Sequence, residues 1–360
     1  TGGVGGQSGT VNNVGQTGAN GGQGISINGG VVDAGDTNSP INGIGGTGGT
    51  GGSGTNGGAG GMGGSGGSGI AVSYGSLTSG NGSDALTGTG GTGGRGGSTS
   101  QGSASSAGTG GSGGQGGAGI SVSGGTLNAG NSSDAITGSG GQGGAGTQGS
   151  SAGLGGHGIS ISGGTFNAGD ANDSIIGTGG SGSSGGYGLF ITSGSLITGN
   201  GDDSITGTGG NNGYGLYIAG GSLQAGNGND EITGIGNGSS QAIYVSTSSK
   251  VVLGDGNDSI DASNGGFAGG GTITMGKGDD TVQGFGAINL IGNKGSDSLA
   301  VGNNGTWSVT ATANGFSVQQ NGISMNLTGF EYIGSESELI TLQVGTLNIV
   351  NGSASWSSST

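Results

Sequence analysis

The sequence predicts an all-β fold, a tapered parallel β-solenoid, and three observations carry that reading. One pattern recurs along the chain, as in GISVSGGTLNAGNSSDAITGSGG from Gly119 and GISISGGTFNAGDANDSIIGTGG from Gly158. Each copy contains short segments in which apolar residues alternate with polar ones, the signature of half-buried strands. Glycine supplies 109 of 360 residues while hydrophobic residues are only 27%, too few for an ordinary packed core. A chain this poor in apolar residues is either a flexible polymer or a repeat protein whose thin core is built by stacking. The single proline, Pro40, excludes collagen and leaves strands free to pair on both edges.

Every copy has the same parts in the same order. In the copy from Gly119, Ile120 and Val122 alternate with serines, a Gly-Gly corner follows, and a second strand carries Leu127. A turn of the type G-N-G-x-D comes next. It leads into a third strand with one inward aliphatic two residues after the Asp: Leu86, Ile136, Ile175, Ile205, Ile232, Ile260, Val282 and Leu299. Copies begin at Gly24, Gly69, Gly119, Gly158, Gly188, Gly215, Ala242, Thr272 and Ile288, so residues 1–302 read as about nine stacked coils. At about 4.8 Å per coil the stack makes a rod roughly 40 Å long.

The motif aspartates fall at Asp84, Asp134, Asp173, Asp203, Asp230, Asp258, Asp280 and Asp297, at intervals of 50, 39, 30, 27, 28, 22 and 17 residues. Coils therefore shorten toward the C-terminus, and the length lost is glycine-rich tract such as 45–69 and 88–119. These tracts read G-G-x with period three. That period predicts a bundle of extended threefold helices of polyglycine type rather than floppy loops, because glycine lets such helices approach closely enough to hydrogen-bond. After Gly302 the glycine content falls and the large residues gather. Asn314-Gly315 and Asn321-Gly322 signal hairpins, so 303–360 is expected to be a β-rich cap or assembly segment with Trp307, Phe316, Phe330, Tyr332 and Trp356 as its small core.

Charge narrows the chemistry. Four basic residues against nineteen acidic ones give −15, which excludes nucleic-acid binding. Fifteen of the acids are Asp, and most sit in the recurring turn, where a hard cation is the natural partner. Cysteine is absent, which removes disulfides and thiolate metal sites. No stretch has the length and apolarity of a membrane span. The only imidazole, His157, lies in a glycine tract, and no Ser-His-Asp arrangement is visible, so an enzyme is not expected. Paired acids such as Asp202-Asp203 suggest glycoside chemistry in isolation, but their recurrence in every turn favours ion binding.

The turns Gly226-Asn227-Gly228-Asn229-Asp230-Glu231-Ile232 and Gly254-Asp255-Gly256-Asn257-Asp258-Ser259-Ile260 fit the nonapeptide G-G-x-G-x-D-x-U-x of calcium-binding β-rolls. So do Gly199-Asn200-Gly201-Asp202-Asp203-Ser204-Ile205 and Gly276-Lys277-Gly278-Asp279-Asp280-Thr281-Val282. On these motifs the chain resembles the RTX, or haemolysin-type, calcium-binding repeat family. The resemblance implies an RTX-like β-roll or β-helix with Ca²⁺ as its cofactor. Ligands would come from the eight motif aspartates, from Asp202, Asn229, Asp255, Asn257 and Asp279, and from the backbone of Gly82, Gly201, Gly228, Gly256, Gly278 and Gly295. The family runs its motifs back to back, two per coil; here there is one, so a single ion column is expected. Thr37, Ser132 and Ala171 replace the second motif glycine, and Ser39-Pro40 stands where the first Asp belongs. The first coil is thus not expected to hold an ion, and the run from Asp202 to Asp297 carries the fullest motifs. The resemblance implies a secreted or cell-surface structural protein that self-associates as a surface-layer, sheath or fibre subunit. Two other readings stand beside it: a stalk or binding section of an adhesin whose ligand is a cell-surface glycan, and an ice-binding rod, on the Thr87/Thr89 and Thr206/Thr208 arrays.

Overall fold

A computed structural model describes residues 1–100 and 108–357. It is an all-β parallel solenoid. Each of the first eight coils contributes one strand to each of three sheets, which hold 8, 14 and 11 strands in all. A representative coil runs Ile120–Val122 in the first sheet, Thr126–Asn128 in the second and Ala135–Ser139 in the third. Its neighbours repeat it in perfect register: Ile159 pairs with Ile120 and Leu189, Leu127 with Leu77 and Phe166, and Ile136 with Leu86 and Ile175.

Register is set by the inward side chains. Ile120, Val122, Leu127 and Ile136 are fully buried, and so are their counterparts in the coils around them. A one-residue slip would turn each of these ladders to solvent. No single coil encloses a core, so burial belongs to the stack.

Among the described residues the glycine tracts are ordered; part of the tract 88–119, residues 101–107, lies outside them. Between the third sheet and the first, the chain leaves the coil, runs outward and returns. In the outbound run, Gly90, Gly93 and Gly96 donate to Ser139, Gln142 and Ala145 of the next coil. Gly91, Gly94 and Gly97 donate to Gly67, Gly64 and Gly61 of the previous coil's return run. The third residues, Thr92, Arg95 and Ser98, face solvent. This three-residue period, with φ outside the left-handed region, is the arrangement expected of packed threefold helices. Two layers result, outbound and returning, and glycine is required where they meet. A Cβ on Gly90 would stand 2.0 Å from Gly117 O of the return run, and one on Gly93 2.0 Å from Gly114 O.

From Asp84 to Asp230 the taper lies in this slab; beyond it the third-sheet strands shorten to three residues at Thr281–Gln283 and Ser298–Ala300. Runs turn back near 55–58, 147–150, 210–213 and 237–240, the last two after much shorter excursions than the first two. The strands of the third sheet keep their five-residue length from Ala85–Thr89 to Glu231–Ile235.

The segment 303–360 is continuous with the solenoid. Ile323–Thr328 and Tyr332–Gly334 add one more parallel rung to the second and third sheets. Gly305–Thr312, Gly315–Gln320, Gly345–Val350 and Ser353–Ser357 then close that end with antiparallel pairs. Asn321-Gly322 turns a hairpin as expected, both residues at positive φ. The preceding turn is Ala313-Asn314 instead, because Gly315 already pairs with Thr312. Trp307 and Phe330 are buried, Phe316 and Trp356 partly so, but Tyr332 is 39% exposed and lies outside that core. The opposite end is open: Val31 and Val32, with no coil before them, are 74% and 47% exposed.

Candidate metal column

The eight motif aspartates form one column along the corner between the second and third sheets. All eight are buried, at 0–3% exposure. One oxygen of each carboxylate accepts the backbone N–H of the aspartate one coil earlier. Asp84 N–H donates to Asp134 Oδ1 at 2.7 Å, Asp134 to Asp173 at 2.8 Å, and Asp173 to Asp203 at 2.7 Å. The chain of bonds continues through Asp230, Asp258 and Asp280 to Asp297. Ser39 N–H starts it on Asp84, so the first coil adds no carboxylate, and Glu331 ends it by accepting from Asp297.

The other oxygen has no partner. Oδ2 of every one of the eight is buried and unbonded. Eight stacked carboxylates with an orphaned oxygen each are costly as bare anions. The carboxyls accordingly move upward. Burial is the main cause and neighbouring column carboxylates add to it in most, giving about 7 for Asp173, Asp230 and Asp280 and about 6 for Asp134, Asp203 and Asp258. Either protons or cations must meet this charge.

The turn glycines supply further unpartnered oxygens. Carbonyls of Gly201, Gly228, Gly256 and Gly278 accept no hydrogen bond among the described residues. Each points at the equivalent glycine of the next coil: a Cβ on Gly228 would stand 1.9 Å from Gly201 O, and one on Gly295 1.7 Å from Gly278 O. From Gly201 onward this glycine has positive φ, between 126° and 149°. Gly82 does not, and neither do Ser132 and Ala171 at its position. The early turns therefore take a conformation open to any residue, which is why the motif relaxes there. Among the described residues no three acidic or imidazole side chains converge on one point. A cation on the column would thus take few carboxylates and complete its shell from carbonyl oxygens, a donor set of the all-oxygen kind that calcium accepts.

The remaining predicted residues lie outside the column. Asp202, Asn229, Asn257 and Asp279 are exposed. Their Oδ1 atoms accept the N–H of Asn229, Asn257, Asp279 and Ser296, each one coil later. They form a second ladder, on the surface, reaching along the rod in the opposite sense to the buried one. Asp255 is also exposed and is paired with Lys277 at 2.6 Å.

Tyr187, Tyr214, Tyr217 and Tyr244 do form a ladder, Tyr217 and Tyr244 stacking at 4.5 Å and 9°. His157 and Phe190 join it, stacked at 4.2 Å, a partnership that sequence spacing did not suggest because they come from a tract and a strand. His157 Nδ1 accepts the Tyr187 N–H, and burial pushes the imidazole down to about 4, so the ring is neutral. No helix is long and apolar enough to cross a membrane among the described residues.

Comparison with known proteins finds no matching family, no matching curated protein and no matching solved structure.

Proposed function

We propose that this chain is a calcium-stabilised extracellular structural protein that associates with copies of itself in a surface layer, sheath or fibre. The observation that carries the reading is the column of eight buried Oδ2 atoms, unpartnered among the described residues, together with the unpartnered turn carbonyls of Gly201, Gly228, Gly256 and Gly278. An anionic, all-oxygen donor set of this kind matches the needs of Ca²⁺. Residues Asp84 to Asp297 would hold the ions, and the ions would supply the counter-charge that lets the coils stack. The RTX-like motif in these turns supports the same assignment.

The flanks suit association. The glycine slab carries no acidic residue in a chain of charge −15, so its two faces can approach another copy without repulsion. One end is closed by hairpins, which directs contact to the flanks and not to end-on stacking.

Circular dichroism and particle size, followed together as calcium is added back after EGTA, test this reading. A gain of β signal with growth into larger particles is expected. A chain unchanged by calcium would remove the ion column.

Ice binding is a second reading, favoured by one feature. From Ala85–Thr89 to Glu231–Ile235 the taper spares the third sheet, whose outward Thr87, Thr137, Thr206 and Thr233 share one register, interrupted by Ile176, on strands of constant length. Thermal hysteresis in calcium would support it; ordinary freezing behaviour would exclude it. An adhesin stalk predicts instead a monomer retained by glycans.

A further inference from the structure

Each column aspartate faces a particular neighbour in the wall of the corner, always five residues earlier in the chain. The contact is visible at the last level, where a Cβ on Gly292 would stand 1.9 Å from Asp297 Oδ2. The register of the second sheet carries the position through the column, since Gln224 pairs with Val252, Val252 with Thr274 and Thr274 with Ile291, each one residue before it.

The occupants of this position change along the rod. In the first five levels they are Ser79, Ala129, Ala168, Thr198 and Ala225, small residues, all fully buried. The hydroxyls of Ser79 and Thr198 donate to Ala129 O and Ala225 O and keep lone pairs free. Beside Asp258 and Asp280 stand Leu253 and Met275, both fully buried. They put a long hydrocarbon side chain at the register position that a small residue holds in the earlier levels.

We propose that the residue five positions before each column aspartate decides which levels hold a cation, and that Leu253 and Met275 close two of them. The proposal rests on the calcium reading above. It runs against motif quality, because Gly254-Asp255-Gly256-Asn257-Asp258 is among the fullest turn motifs and Asn131-Ser132-Ser133-Asp134 among the poorest. An ion needs oxygens around it and space to sit, and the turn sequence reports only the first. On this view the cations occupy the block from Asp84 to Asp230, and Gly292 leaves the Asp297 level open as well.

The test is a count of bound calcium by equilibrium dialysis of the whole chain, with far-UV circular dichroism as the check on folding. Leu253→Thr and Met275→Ser copy residues already present at this position in other coils. Each is expected to raise the count by about one ion, and Ala225→Leu to lower it by about one. Unchanged counts in Leu253→Thr and Met275→Ser, or an Ala225→Leu chain that binds as many ions as the parent, would overturn the proposal. A parent chain that binds no calcium fails at the earlier step, and the proposal falls with the reading it rests on.

Discussion

At Gly91 a single methyl group would meet the carbonyl oxygen of Gly46 at 2.0 Å, and the same holds at every inward glycine of the slab. Those atoms belong to backbone that is hydrogen-bonded on both sides and cannot step aside. Gly91→Ala is therefore expected to destabilise the fold by roughly 1–3 kcal/mol, the usual range for overpacking. Thr92→Ala, one residue along and facing solvent, should fall within about 0.5 kcal/mol of the parent. Guanidinium unfolding in calcium measures both. Asp230→Asn should act with opposite signs in two conditions. With calcium present it removes a ligand, and affinity should fall at least about tenfold, or about 1.4 kcal/mol. In EGTA at neutral pH it removes a buried charge that nothing balances, and the unfolding midpoint should rise. A midpoint that falls in both conditions would mean that the carboxylate is held by hydrogen bonds alone.

Strands, turns and tracts differ in how openly the sequence announces them. The strands were legible because inward aliphatics repeat at a fixed offset from the Asp, and all eight of Leu86 to Leu299 lie where that offset places them. The ordering of the tracts was legible from period three. What composition could not separate was the buried ladder from the surface ladder. Asp202 and Asp203 are adjacent and chemically identical, and only the pleat sends one inward and the other out. The aromatic cluster was half legible, since Phe190 and His157 meet the tyrosines through the corner between tract and sheet. As an element, the buried ladder also sets the response to pH. Six of its carboxyls, Asp134, Asp173, Asp203, Asp230, Asp258 and Asp280, sit at about 6 to 7 when folded, above the ordinary carboxylate value of about 4 in the unfolded chain. The stability that protonation provides is complete below about pH 4 and is lost as pH rises through about 7. In EGTA the thermal midpoint should climb on acidification from pH 8 to pH 5, and saturating calcium should flatten or reverse that trend.

The rod carries two flanks free of acidic residues. Lysines placed at Thr50 and Thr92, on the outbound face of the slab, should keep the particles small in calcium. Val32→Lys, at the open end, should leave assembly size unaltered. Sedimentation velocity separates the two, and the opposite result would move the contact from the flanks to the end. The shortening of the glycine runs has one more consequence. A slab that is wide under the first coils and absent under the last is a wedge. Wedges laid flank to flank cannot tile a plane without gaps; each is rotated slightly against its neighbour, and the rotations add in one direction. A layer of such units acquires a radius of curvature, written into the chain as the number of G-G-x triplets that each coil gives up to the next.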